Sequence, residues 1–171
     1  MITTHKLRRQ GESPLGSDSC SVLFLDVDGV LNRCGKSAQG LETDKVKMLE
    51  RIVAVANPII VVSSTWRIFD RRMNQLHLIF SEMGARFGGV TPYHNNKTEG
   101  GIYIAKSRGN EIQEWMDDNG TPSRFVILDD DSDMGHLLPN LVKTESFVGL
   151  TPEITQRVID ALNSQADRPN V

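Results

Sequence analysis

The chain has 171 residues, enough for one domain with a real hydrophobic core, and a formal charge of −3. That balance excludes a global basic field that would recruit nucleic acid, while leaving a local basic patch open. No apolar stretch approaches the roughly 18 residues needed to span a bilayer, which excludes a membrane-spanning helix.

Residues 1–19 mix Thr, Arg, Gln, Gly, Ser, Pro and Asp without periodicity and have no apolar run after their basic residues. They read as a flexible tail, not a secretory signal, with His5, Lys6, Arg8 and Arg9 as solvated charges. The first element is the apolar run Val22-Leu23-Phe24-Leu25, too short for a helix and typical of a buried parallel strand. It runs into Asp26-Val27-Asp28-Gly29. A loop over 32–41 precedes a helix for which Thr43 is the cap candidate, with Val46, Leu49, Ile52, Val53 and Ala56 on one face, stopped by Asn57-Pro58. Pro58 to Val62 is a second buried strand, ending in Ser63-Ser64-Thr65-Trp66-Arg67. A helix from about Trp66 to Met83 follows, with Ile68, Leu76, Ile79 and Phe80 as core contacts, and Gly84 closes it.

Ala85 to Val90 is a third strand. Residues 88–105, rich in Gly, Thr, Asn and Pro, read as a long loop with room for a short hairpin, carrying Tyr93, His94, Lys97 and Tyr103. Asn110 to Asn119 is a helix with Ile112, Trp115 and Met116 facing inward. Arg124 to Leu128 is a strand running into Asp129-Asp130-Asp131-Ser132-Asp133, Leu141 to Thr144 a short last strand, and Thr151-Pro152 opens a helix to about Ser164. This alternation predicts an α/β fold, a doubly wound Rossmann-like parallel sheet with helices on both faces. Cys20 and Cys34 lack metal-ligand spacing and read as free thiols in a reducing cytoplasm.

Two features carry chemistry. Asp26 and Asp28 sit where an open α/β sheet binds its ligands, and two carboxylates so close call for a hard cation or for divided acid and nucleophile roles; a solvated turn is the plain alternative. Four carboxylates within residues 129–133 would repel, and a divalent cation would offset much of that cost. Arg67 suits bidentate binding of a phosphate or carboxylate, or an ion pair on its own helix surface. His94 and His136 read as surface histidines, Trp66 and Trp115 as core.

Asp26-Val27-Asp28-Gly29-Val30-Leu31, preceded by its strand, resembles motif I of the haloacid dehalogenase (HAD) superfamily of phosphotransferases. The resemblance implies that Asp26 is the nucleophile that becomes an aspartyl phosphate. It makes Asp28 the general acid and base, with its backbone carbonyl on Mg²⁺. Val30 stands where the family often has Thr. Ser63, with Ser64 and Arg67 beside it, falls in the place of motif II, which binds the transferring phosphoryl group. Motif III supplies a cation, for which Lys106 and Arg108 both qualify, the neighbourhood Arg108-Gly109-Asn110-Glu111-Ile112 favouring Arg108. The acids at 129–133 match motif IV, which holds Mg²⁺. One alignment selects Asp130 with Asp129 as its neighbour, another selects Asp129 and Asp133.

The HAD enzymes that act on small metabolites often carry a cap domain after motif I or between motifs II and III. About ten residues follow the motif I turn here, and only 88–105 is left over further on, so no large cap is expected. An open site implies a substrate whose bulk lies outside it. Ser63 to Arg67, Arg108 to Ile112, Ile127 to Met134 and Val148-Gly149-Leu150-Thr151 are similar to the HAD domains associated with multidomain RNA-repair proteins, over roughly residues 21–163. The 171 residues leave no room for a kinase or ligase domain beside it. The expected organisation is a tail over 1–19, a HAD-like hydrolase domain over 20–165 and a short tail over 166–171. Its expected function is a Mg²⁺-dependent cytoplasmic phosphatase for a phosphorylated small molecule, nucleic-acid end or phosphoprotein, with no membrane partner. Two narrower alternatives are a nucleic-acid end phosphatase, with Lys97, Lys106, Arg108 and Tyr93 tracking the strand, and a non-catalytic module that keeps the fold.

Overall fold

The computed structural model describes residues 20–35, 40–97 and 103–164. The expected tails, 1–19 and 166–171, lie outside the described residues. The elements in chain order are β1 (Ser21–Leu25), α1 (Thr43–Ala56), β2 (Ile59–Val62), a 3₁₀ turn (Thr65–Ile68), α2 (Asp70–Glu82) and β3 (Arg86–Val90). There follow β4 (Asn95–Lys97), β5 (Tyr103–Ala105), α3 (Arg108–Asn119), β6 (Arg124–Asp129), a second 3₁₀ turn (Gly135–Asn140), β7 (Leu141–Lys143) and α4 (Pro152–Asn163).

Five strands form one parallel sheet in the order β3-β2-β1-β6-β7. Because β1 is central, both its faces are covered, and the side chains of its apolar run alternate between two cores. Leu23 and Leu25 pack with Leu49, Ile52, Leu76, Phe80, Val158 and Leu162 of α1, α2 and α4. Val22 and Phe24 pack with Ile112, Trp115 and Met116 of α3, Phe24 meeting Trp115 edge to face at 5.4 Å. The expected doubly wound α/β sheet with helices on both faces is present. The strand order turns back at β1, and this switch point opens a crevice at the carboxyl ends of β1, β2 and β6.

Several boundaries differ from the sequence reading for local reasons. The helix expected from Trp66 to Met83 is two pieces. The Ser64 hydroxyl accepts from the Trp66 amide and starts a 3₁₀ turn, and Phe69, at φ −118° and ψ 108°, interrupts the coil before α2. Ile68 consequently points outward, 45% exposed, and is not a core residue. Helix α3 begins at Arg108, two residues before the expected Asn110, because the Ser107 hydroxyl accepts from the Asn110 amide. Strand β6 extends to Asp129, whose carbonyl accepts from the Thr144 amide at 3.0 Å.

Between β3 and α3 the long segment contributes the antiparallel pair β4–β5, with Asn96 opposite Ile104. Among the described residues nothing else is inserted there, so there is no large cap. Nor is any helix among them long and apolar enough to cross a membrane.

Candidate active site

The sheet register brings three strand ends to one level. Leu25 pairs with Val62 on one side and Leu128 on the other. One residue further, the Asp26 amide donates to the Leu128 carbonyl at 3.0 Å and the Ser63 amide to the Leu25 carbonyl at 2.9 Å. Asp26, Ser63 and Asp129 therefore stand side by side. Each continues the two-residue period of Val22 and Phe24, Ile59 and Val61, or Ile127, all buried toward α3, so all three share the α3 face.

The start of α3 delivers a cation to this row. Arg108 Nη2 lies 3.9 Å from Asp26 Oδ1, and its Nε lies 3.6 Å from Asp129 Oδ2. The helix is pinned there by the turn after β6. Asp133 Oδ2 accepts from the Arg108 amide at 2.8 Å, and the Asp133 carbonyl accepts from the Gly109 amide at 3.2 Å. A side chain at Gly109 would put its Cβ 2.2 Å from the Met134 carbonyl oxygen, so glycine permits the close docking. Lys106, the other candidate cation, instead contacts Glu114 at 2.8 Å on the exposed side of α3, where His94 also reaches Glu114 at 2.8 Å.

Carboxylate oxygens of Asp26, Asp129 and Asp130 all lie within 4.8 Å of one another. Asp130 can approach because residue 29 is glycine, at φ +80° and with its missing Cβ position only 2.3 Å from Asp130 Oδ2. Burial pushes the Asp129 carboxyl up to about 8, and the charge of Asp26 adds to the rise. Asp26 is raised too, again through burial, against the pull of Arg108 and a hydrogen bond from Ser64. Asp129 Oδ1 accepts from the Asp131 amide at 2.9 Å, while its buried Oδ2 has no hydrogen-bond partner among the described residues. Converging hard oxygens, one of them buried without a hydrogen bond, fit a divalent cation such as Mg²⁺. Asp133 stands outside this set and accepts from the first amide of α3.

Asp28 has a different environment. Its Oδ1 accepts from Asn32 Nδ2 at 2.8 Å and its Oδ2 from the indole of Trp66 at 3.0 Å, with Arg72 Nη1 at 3.7 Å. Its carboxylate is not one of the clustered three. Nothing in the sequence pattern marks Trp66, Asn32 or Arg72 as site residues. Trp66 is buried as expected of a core side chain, yet its N–H is aimed at Asp28, a pairing 38 residues apart that no local pattern signals. Thr144 is a further case, its hydroxyl donating to the Gly29 carbonyl at 2.8 Å and so holding the loop after β1 against the end of β7.

Of the remaining residues expected at the site, Ser63 and Ser64 are buried beside Asp26. The Ser63 hydroxyl and Arg108 Nη1 are buried with no hydrogen-bond partner among the described residues. Each such group costs about 1–3 kcal/mol if nothing satisfies it, and their clustering around Asp26 marks a place for an oxyanion. Arg67 is engaged through its two terminal nitrogens, while its buried Nε, like the Ser63 hydroxyl, has no hydrogen-bond partner among the described residues. It pairs with Glu111 at 2.5 Å, both side chains nearly inaccessible, donates to the carbonyls of Ser63 and Pro92, and lies over the Tyr93 ring at 5.2 Å. Arg67 thus ties the end of β2 to α3 and to the segment after β3.

A family model described as "HAD domain in Swiss Army Knife RNA repair proteins" matches residues 22–154. No curated protein and no solved structure matches the chain.

Proposed function

The chain belongs to the HAD domains of Swiss Army Knife RNA repair proteins, a branch of the HAD hydrolases, and on that premise we propose a Mg²⁺-dependent phosphomonoesterase acting on nucleic-acid ends. The observation that carries the proposal is Asp26 flanked by two buried, unpartnered groups of the right polarity, the Ser63 hydroxyl and Arg108 Nη1, with the acids of β6 behind it.

In this reading an Asp26 oxygen attacks phosphorus while the ester P–O bond breaks, giving an aspartyl phosphate and splitting one difficult displacement into two. Asp28 delivers its proton to the leaving oxygen. It then takes a proton from the water that attacks phosphorus, the acyl phosphate P–O bond breaks, and Asp26 is regenerated with inorganic phosphate. The Ser63 hydroxyl and Arg108 bind phosphoryl oxygens and balance the charge spread over them. Asp26, Asp129, Asp130 and the backbone carbonyl of Asp28 would hold Mg²⁺, which when bound screens the repulsion between an anionic nucleophile and its anionic substrate.

The family description and the lack of a large cap among the described residues support a substrate whose bulk stays outside the crevice, which favours a polynucleotide terminus over a small metabolite or a phosphoprotein. The non-catalytic alternative is disfavoured by the presence of both Asp26 and Asp28. The test is phosphate release from an aryl phosphate and from oligonucleotides bearing 5′ or 3′ phosphates, with Mg²⁺ or chelator. Release that needs metal and vanishes in Asp26→Asn supports the mechanism, whereas release surviving that substitution rules out the nucleophile.

A further inference from the structure

Three stacked side chains lead outward from Asp28. Trp66, buried, donates to Asp28 Oδ2. The Arg72 guanidinium carbon lies 4.9 Å from the Trp66 ring centroid and 5.3 Å from that of Phe69, and its Nη1 lies 3.7 Å from Asp28 Oδ2. Phe69 ends the stack 50% exposed, on the extended residue that separates the 3₁₀ turn from α2.

Neither outer member is explained by packing. Phe69 forgoes much of the burial an aromatic ring gains in a core. Among the described residues Arg72 makes no side-chain hydrogen bond and only its Nη1 approaches a carboxylate, that of Asp28, so its other donors are open to an anion while the two rings hold its plane in place. Ile68 and Arg71, next to them, are exposed as well.

Asp28 is the group that meets the leaving oxygen, and whatever carries that oxygen leaves past the groups bordering Asp28. We propose that Arg72 and Phe69 form a subsite for the terminal nucleotide of a single-stranded nucleic acid, Phe69 stacking on the base and Arg72 contacting the adjoining phosphodiester. This assignment rests on the role given to Asp28 above. An aromatic face beside a planar cation suits a leaving group that brings both a base and a second phosphate. The alcohol of a phosphoserine or phosphothreonine brings neither. A chain of net charge −3 needs such a local device to hold a polyanion.

The test is fluorescence anisotropy of a labelled trinucleotide with a terminal phosphate, in Mg²⁺, on Asp26→Asn protein to block turnover. Adding Phe69→Ala is expected to weaken binding about fivefold or more, the low end of a base–aromatic stack, and Phe69→Trp to preserve it. Arg72→Met is expected to weaken binding and to lower the slope of log affinity against log salt by about 0.7, one phosphate contact on a single strand. In the otherwise unaltered protein, Phe69→Ala should lower kcat/KM for the trinucleotide more than for an aryl phosphate. Absence of trinucleotide binding, binding indifferent to both substitutions, or an equal loss for a phosphoserine peptide of matched charge would overturn the subsite. Aryl phosphate turnover that depends on Asp26 upholds the broader mechanism whichever way the trinucleotide result falls.

Discussion

The indole N–H of Trp66 donates to Oδ2 of Asp28 at 3.0 Å, joining a buried residue of the β2–α2 link to the loop after β1. With Asn32 on the other oxygen, the Asp28 carboxylate is held in one orientation. Trp66→Phe keeps an aromatic ring but removes this donor. A hydrogen bond to a charged group contributes about 1.5–3 kcal/mol, so kcat on an aryl phosphate should fall about ten- to a hundredfold with KM little changed. Steady-state kinetics check this, with thermal melting to show that the variant is folded.

Arg108 and Lys106 lie two residues apart, yet only Arg108 lies near Asp26. Arg108→Met is expected to lower kcat/KM by about 10²–10³, the usual loss when a group aimed at transition-state charge is removed. Lys106→Met deletes an exposed pair with Glu114 and should leave activity within about threefold and stability within about 1 kcal/mol. Equal losses in the two variants would contradict the geometry.

Asp129 makes the metal-free protein sensitive to pH. Its folded pKa of about 8 lies above the ordinary 3.8, so between those values the folded state holds a proton that the unfolded chain releases. Its contribution to stability is complete below the ordinary value and is lost as pH rises through about 8. In chelator, the melting temperature should therefore fall from pH 5 to pH 8.5. Mg²⁺ competes with that proton, so the stabilisation by Mg²⁺ should grow over the same window. A melting temperature in chelator that rises with pH would contradict this.

Arg67 and Glu111 form an almost inaccessible ion pair, and burial, joined by the charge of Arg108, lowers the Arg67 pKa against the support of Glu111. Glu111→Leu strands the guanidinium and should cost about 3–5 kcal/mol in urea unfolding. Adding Arg67→Met removes the stranded charge and should recover part of that loss. A double variant less stable than Glu111→Leu would show that the bonds from Arg67 to the Ser63 and Pro92 carbonyls outweigh the ion pair.

Replacing Gly29 tests the approach of Asp130. Gly29→Ala places a Cβ 2.3 Å from Asp130 Oδ2 at a positive φ, so the acid must move away. Half-saturation by Mg²⁺, read from activity or calorimetry, should shift upward at least about tenfold, a change of about 1.4 kcal/mol.

Much of the fold is local information. The apolar run Val22 to Leu25 signals a strand buried on both faces, and Asn57-Pro58 and Thr151-Pro152 mark the end of α1 and the start of α4. Where the sequence reading slipped, a single side-chain bond decided. Hydrophobic periodicity runs through Ile68 into α2, but the bond from the Trp66 amide to the Ser64 hydroxyl and the extended Phe69 break it.

By itself the sequence determined the order of strands and helices and the placing of Asp26, Asp28 and the acids of 129–133 at strand ends, because strands and turns are encoded by neighbours. Only the tertiary structure decided which of those residues meet. Parallel register puts Asp26, Ser63 and Asp129 in one row, and docking of Gly109 on Met134 turns Arg108 toward them. Arg67 is drawn into a buried pair, and Asp133 binds the first amide of α3. Those outcomes depend on contacts between residues 25 to more than 100 positions apart, whose energies no local pattern of residue types records.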